Sequence, residues 1–261
     1  MILQIEDKLR KTFKRTNSWP ADRCIYFSYK RGWISNAYSE IFAFLIGKIM
    51  GDGNLDKLFT CRFISKNQLN LEELKNLIYK ELKIPLKKMS IKKKEAWGKS
   101  FILTVNDAAL GRFLFVLGAP QGRKTENRFG VPNWIKFSKK VKRSFLQGIL
   151  EDELASFRIK NGFPAIVNFK MAKCVELKED LLLFLKEIKN LIEEFDVRCG
   201  RIIELDLNDS GNFQALFWIQ CKSQNIISFS RNIGFKVNKE KIERMNKVVS
   251  VAKEIEARKL I

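Results

Sequence analysis

The chain has 261 residues, of which 46% are hydrophobic and 30% charged, enough to bury one large core or two of domain size and too apolar for a disordered chain. Lys and Arg number 49 against 29 Asp and Glu, a formal charge of +20, and such an excess points to a polyanionic partner, nucleic acid first, because neutralised phosphates supply much of the non-specific affinity. There is no histidine, which excludes every mechanism built on a His base or His metal ligand, and the five cysteines lack a Cys-x-x-Cys spacing and read as reduced, mostly buried residues of an intracellular protein rather than a zinc site.

In chain order, residues 1–8 carry charge and no long apolar run, so no signal peptide is expected. Apolar stretches such as 41–46 fall far short of a bilayer span, and a soluble, cytoplasmic protein with no membrane partner follows. Residues 3–13 read as a basic amphipathic helix within an N-terminal extension, 1–38, that has no counterpart later in the chain. At 44–53 the run Phe-Leu-Ile-Gly-Lys-Ile-Met-Gly-Asp-Gly continues an apolar helix with small residues four apart, Ala43 and Gly47, into the carboxylate of Asp52. Strand formers fill 57–66, helical spacing fills 71–82, and a strand pair at 88–94 and 101–105 brackets a turn at 96–98. Asn106 is expected to cap a helix through 117, which Gly118 and Pro120 end. The Gly/Pro/polar segment 118–132 reads as a linker.

The first pattern then returns. At 145–154 stands Phe-Leu-Gln-Gly-Ile-Leu-Glu-Asp-Glu-Leu, at an offset of 101 residues, with Ser144 and Gly148 four apart and Glu153 at the place of Asp52. Strand candidates at 155–159 and 165–170 flank a turn at Asn161-Gly162, a helix covers 177–195, strands follow near 201–207 and 213–221, and helices at 223–231 and 239–257 close the chain. Both halves read α-β-β-α-β-β-α. Residues four apart share a helix face, so two helices with such small faces can approach backbone to backbone and bring their C-terminal ends together. Carboxylates there sit at the negative end of the helix dipole and repel each other unless cations intervene, and the expected use of such a pair is to hold a divalent metal such as Mg²⁺.

On these residues the chain resembles the LAGLIDADG homing endonucleases in their single-chain, two-repeat form. The first copy matches better, ending Gly51-Asp52-Gly53; in the second, Glu153 stands for the usual aspartate and Leu154 for the final glycine. Pro132-Asn133-Trp134-Ile135 resembles the end of the family's inter-repeat stretch. The resemblance implies an α+β fold of two pseudo-symmetric repeats, a pseudo-dimer within a monomer, whose antiparallel sheets form a saddle with the motif helices at the repeat interface. The boundaries expected are 39–120 for the first repeat, 121–136 for the linker and 137–261 for the second repeat.

What the resemblance implies for activity is metal-dependent phosphodiester hydrolysis: a site-specific endonuclease cutting both strands of duplex DNA, with Mg²⁺ or another divalent cation held by Asp52 and Glu153 and a basic residue from each half near the centre. Lys124 is the best match in the first half and Lys239 in the second, with Lys236 and Lys241 as competitors and Glu151 and Asp152 as neighbouring acids should the register shift. The saddle would meet DNA through outward polar positions, for which Arg62, Ser65, Lys66, Lys88, Ser90, Lys92, Lys94, Lys99, Arg158, Lys160, Asn168, Lys170, Arg201 and Gln214 are the candidates; the period-two alternation of Ser90, Lys92 and Lys94 is the clearest of these patterns. Two alternatives stand beside this reading, an RNA-binding maturase or RNA-processing protein of the same fold and a nucleic-acid-binding descendant that has lost catalysis. No intein splicing residues are seen at the termini, and a free-standing protein is expected.

Overall fold

A computed structural model of the chain describes residues 2–16, 18–94 and 100–259. The turn expected at 96–98 and the candidate Lys99 lie outside the described residues.

Two short helices open the chain, α1 (Ile2–Lys11) and α2 (Trp19–Lys30). The first repeat of the pattern then runs α3 (Glu40–Met50), β1 (Asn54–Leu55), β2 (Cys61–Ser65), α4 (Gln68–Leu82), β3 (Met89–Lys94), β4 (Ser100–Val105) and α5 (Ala108–Val116). The second runs α6 (Lys139–Glu153), a small hairpin of β5 (Ile159–Lys160) and β6 (Phe163–Pro164), β7 (Val167–Lys173), α7 (Lys178–Glu193), β8 (Ile203–Leu205), β9 (Phe213–Ile219), α8 (Ser223–Asn232) and α9 (Lys239–Arg258). The sheets are antiparallel, ordered β1-β2-β4-β3 in the first repeat and β7-β9-β8 in the second. No helix among the described residues is long and apolar enough to cross a membrane.

Local chemistry moves several expected boundaries. The strand expected from 57 begins only at Cys61, because Asp56 Oδ1 accepts from the backbone N–H groups of Leu58 and Thr60 and Phe59 adopts a left-handed φ of 62°, which turns the chain first. The cap of α5 is Asp107, not Asn106: its carboxylate accepts from the Leu110 N–H at 3.1 Å and is itself buried. The helix expected from 71 begins at Gln68, capped by Asn67. In the second repeat the residues after Leu154 pair with β7 only through an isolated bridge to Phe169 and the Ala155 N–H bond to Asn168, so the expected strand at 155–159 is reduced to the hairpin β5-β6.

Alternation sorts each sheet into an inner and an outer face. Cys61, Phe63, Leu103, Val105 and Met89 are buried on one side of the first sheet; Val167, Phe169, Ala215, Phe217 and Ile219 are buried on one side of the second. These apolar rows, the two motif helices and α4, α5 and α7 form one continuous core. At its centre α3 is buried along nearly its whole length, which a helix of composition Ile-Phe-Ala-Phe-Leu-Ile requires.

Candidate functional site

The centre is built by two glycines. A Cβ on Gly47 would run into the Phe145 carbonyl oxygen and one on Gly148 into the Phe44 carbonyl oxygen, the same collision seen from each side of a pseudo-twofold axis. Only glycine permits α3 and α6 to touch backbone to backbone, and that contact fixes where the helices end. The four-residue spacing of small residues thus does what the sequence suggested: Ala43 and Ser144 are fully or nearly fully buried in the same interface.

At the ends of this pair the acids gather. Asp52 is exposed in the turn after α3, and its backbone N–H donates to Asp152 Oδ2 at 3.2 Å. Glu153, the last residue of α6, is held largely out of water, and burial, aided by the Asp52 and Asp152 charges, lifts its carboxyl to about 8 against the pull of Lys124 and Lys241. Asp152 is lifted to about 6 by burial, with Lys48 working in the opposite direction through an ion pair. Lys48 is buried within the motif helix itself. Burial alone would lower its proton affinity, but Asp152, Glu151 and Asp52 together raise it, so it is a fixed cation between the helices. Lys124 Nζ lies 3.5 Å from the Met50 carbonyl oxygen and is depressed by burial, while Glu153, Asp52 and Asp152 act to raise it. Lys241, depressed by burial to about 8, donates to the carbonyl oxygens of Leu150 and Leu154 and so caps the C-terminal end of α6.

This answers how the second copy ends without a glycine. Gly53 donates its N–H to the Lys48 carbonyl oxygen at 2.9 Å, and a Cβ there would press on that same oxygen at 2.6 Å. Leu154 instead leaves the helix in an extended conformation, φ −81° and ψ 130°; the Lys241 ammonium satisfies its carbonyl oxygen and adds a second donor to that of Leu150, which already accepts the Leu154 N–H.

The structure brings together Asp52, Glu153 and Lys124, and adds Lys241 and Lys48. It does not bring Lys239 there: its ammonium pairs with Glu73 at 2.6 Å on the surface. Lys236 is also exposed, 5.1 Å from the Phe44 ring. Glu151 is a structural acid, its Oε1 accepting from the backbone N–H groups of Lys236, Val237 and Asn238 just before α9, with the Lys48 ammonium 3.8 Å from Oε2. A missed residue, Lys173, points from β7 into the core and donates to the carbonyl oxygens of Lys124 and Asn127, fastening the segment that carries Lys124. The Cys174 N–H to Thr125 and Gly122 N–H to Leu55 bonds hold the same segment against both repeats.

Among the described residues no group of three or more Asp, Glu, Cys or His side chains is arranged to hold a metal. What the geometry offers is one carboxylate from each motif copy, Asp52 and Glu153, each within the other's electrostatic reach. Such oxygen donors suit a hard divalent cation whose remaining positions are filled by water and phosphate.

The outer faces hold most of the remaining candidates. Register places Arg62, Thr104 and Ser90 in one row and Ile64, Ile102 and Lys92 in the next, with Lys94 continuing the β3 face opposite Ser100. On the second sheet Asn168 lies beside Trp218, Lys170 beside Leu216, and Gln214 beside Ala172, all on the outer side. Arg158, Lys160, Arg201 and Lys66 are exposed at the strand ends and turns. Two candidates are elsewhere. Ser65 pairs with Phe101, on the opposite face from Arg62, and its hydroxyl accepts from the Asn67 N–H. Lys88 precedes β3 and is bound to Asp107 at 2.8 Å, because Asp107 is a buried cap that needs cations. Arg62 is also paired, with Asp56 at 2.8 Å, yet remains 42% exposed.

Two motif helices crossing at paired glycines, each ending in an acid and followed by an antiparallel sheet, define a fold of the LAGLIDADG type. No family model matches the chain. It is similar to three proteins of Methanocaldococcus jannaschii: replication factor C small subunit (30% identity over 233 residues, 82% of this chain and 12% of that protein), the tRNA-splicing ligase RtcB (33%, 63% and 19%) and the RNA polymerase subunit Rpo1N (29%, 80% and 17%). The chain therefore spans less than a fifth of the length of these relatives. Among solved structures, mesophilic variants of the homing endonuclease I-DmoI match 76% of this chain and 97% of theirs at 16% identity and a TM-score of 0.48. The N-terminal LAGLIDADG domain of DUF199/WhiA matches 94% and 96% at 16% identity and a TM-score of 0.48.

Proposed function

We propose that the chain is a site-specific, double-strand DNA endonuclease of the homing type, in which Asp52 and Glu153 together hold Mg²⁺. The observation that carries this reading is the convergence of one acid from each motif copy with three lysines at the end of a glycine-packed helix pair. When bound, the metal would polarise phosphate oxygens and lower the proton affinity of a coordinated water. The chain's own residues do the rest. Lys48 neutralises Asp152, so that Asp52 and Glu153 remain to meet the cation. Lys124, its proton affinity weakened by burial, brings positive charge toward a phosphate, and Lys241 holds the end of α6 that carries Glu153.

The comparisons lend a second kind of support. A segment covering most of this chain recurs in a replication factor and in a polymerase subunit, and a shorter one in an RNA ligase, each time as a small part of a larger protein whose name describes an unrelated task. That is the distribution of a unit that travels between genes, as a homing nuclease does.

A second reading has its own observation. The Lys48–Asp152 ion pair and the strong hold of Glu153 on its proton favour a nucleic-acid-binding protein of the same fold that no longer cleaves, including one that binds RNA. Cleavage of a randomised duplex library with Mg²⁺, with the ends sequenced, separates the two. Discrete double-strand cuts that vanish in Asp52→Asn/Glu153→Gln establish the nuclease; tight binding without cuts establishes the second reading.

A further inference from the structure

The N-terminal extension carries a site that cleavage by the motif acids leaves unused. On α2, Trp19, Arg23 and Phe27 follow one another at four-residue spacing, and Arg31 continues the row as the cap residue. Cation and ring alternate along it. The Arg23 guanidinium is 4.9 Å from the Trp19 ring centre and 5.5 Å from that of Phe27; the Arg31 guanidinium is 5.2 Å from Phe27 and 4.9 Å from Trp33. From α5, Arg112 stacks on Phe13 at 3.8 Å and on Phe59 at 4.0 Å. Between these rows lies a groove of about 580 Å³, with Trp19, Pro20 and Phe13 in its walls.

Two features ask for a ligand. Trp19 is 69% exposed, a large apolar ring that the core does not use. Charge is also out of balance: among the described lining residues the one carboxylate is Asp107, already bound by Arg31 at 3.0 Å and Lys88 at 2.8 Å, so Arg23 and Arg112 stand in excess. The exposed Trp19 ring beside unneutralised guanidinium groups complements a base beside phosphates. A duplex keeps its base faces inside the stack, whereas a single strand can lay them on a ring. The groove is also removed from the outer sheet faces, since α2 packs on α5 and the apolar side of α5 belongs to the core beneath the first sheet.

We propose that this groove binds single-stranded nucleic acid, one base stacking on Trp19 while the neighbouring phosphates meet Arg23 and Arg112. The site is independent of Asp52 and Glu153. The test uses the full chain and an oligothymidylate carrying 5-iodouracil, photo-crosslinked in the presence of excess unlabelled duplex DNA, with adducts mapped by mass spectrometry. Adducts on Trp19 are expected. Anisotropy titration should show Trp19→Ala/Arg23→Ala binding the oligonucleotide about tenfold more weakly, with Trp19→Phe near the parent and duplex affinity unchanged. Because Trp19 is exposed, these variants leave the core intact. Adducts confined to the sheets, or an unaltered affinity in the double variant, would overturn the proposal.

Discussion

Gly51 and Asp152 stand at equivalent places in the two motif copies, and only one of them can carry a side chain: a Cβ on Gly51 would come within 2.7 Å of the Asp152 Cβ and 2.8 Å of its Oδ2. The pseudo-symmetric helix pair therefore has an asymmetric end, with Asp152 occupying the space that Gly51 leaves. Gly51→Ala should destabilise the fold by about 1–3 kcal/mol through overpacking. Asp152→Gly opens the space, so the same substitution in that background should lose far less, and a double-mutant cycle in urea measures the difference. Additive losses would show that the two positions do not compete.

The carboxyls at this end make stability depend on pH in a definite direction. Glu153 is raised from 4.5 to about 8 and Asp152 from 3.8 to about 6, in both cases chiefly by burial. A raised carboxyl binds its proton more tightly in the folded chain, so the stability it contributes is whole below the unfolded value and is lost as pH climbs through the folded one. Melting temperature should thus fall from about pH 5 to about pH 8, and the fall should be shallower in Glu153→Gln, which has no proton to lose there. Identical slopes in parent and variant would contradict the burial of Glu153.

Much of this was legible in the sequence because repetition and periodicity are local. The 101-residue offset located both motif helices, and alternation located Ser90, Lys92 and Lys94 on one face. What escaped depends on contacts between distant residues. Lys241 reaches α6 from α9, and nothing in its neighbours separates it from Lys239 or Lys236. Lys173 breaks an alternating strand as a lysine on the apolar side, a signal that becomes readable only once the register is known. Lys48 was visible as a cation inside an otherwise apolar motif, and Asp107 followed Asn106, an equally plausible cap by residue type.

Two lysines in the first turn of α9 provide a direct contrast. Lys241 is buried and caps the carbonyls of Leu150 and Leu154, whereas Lys239 makes an exposed pair with Glu73. Lys241→Met should cost about 1–3 kcal/mol, because it leaves the buried Leu154 carbonyl oxygen without its donor, while that of Leu150 keeps the Leu154 N–H. It should also raise the Glu153 carboxyl further, since a nearby cation is gone. Lys239→Met should change stability by no more than about 1 kcal/mol, as exposed pairs do. Thermal melts of the two variants, with Glu153 titrated by carboxyl NMR in each, decide the matter; equal losses would contradict the capping role of Lys241.

The outer faces of the two sheets make a separate prediction about affinity. Lys92 on β3 and Lys170 on β7 are exposed, one on each sheet, and neither makes an ion pair among the described residues. If each meets a duplex phosphate, each releases condensed counterions on binding, and its loss should lower the slope of log K against log salt by about 0.9. Lys92→Ala/Lys170→Ala should therefore weaken duplex binding at low salt and flatten the dependence by about two phosphate contacts, uniformly across DNA sequences. Gln214→Ala, which removes an uncharged group already bonded to the Asp206 carbonyl oxygen, should leave the slope unchanged. A titration series from low to moderate salt measures both, and an unaltered slope in the double lysine variant would remove these sheets from the DNA interface.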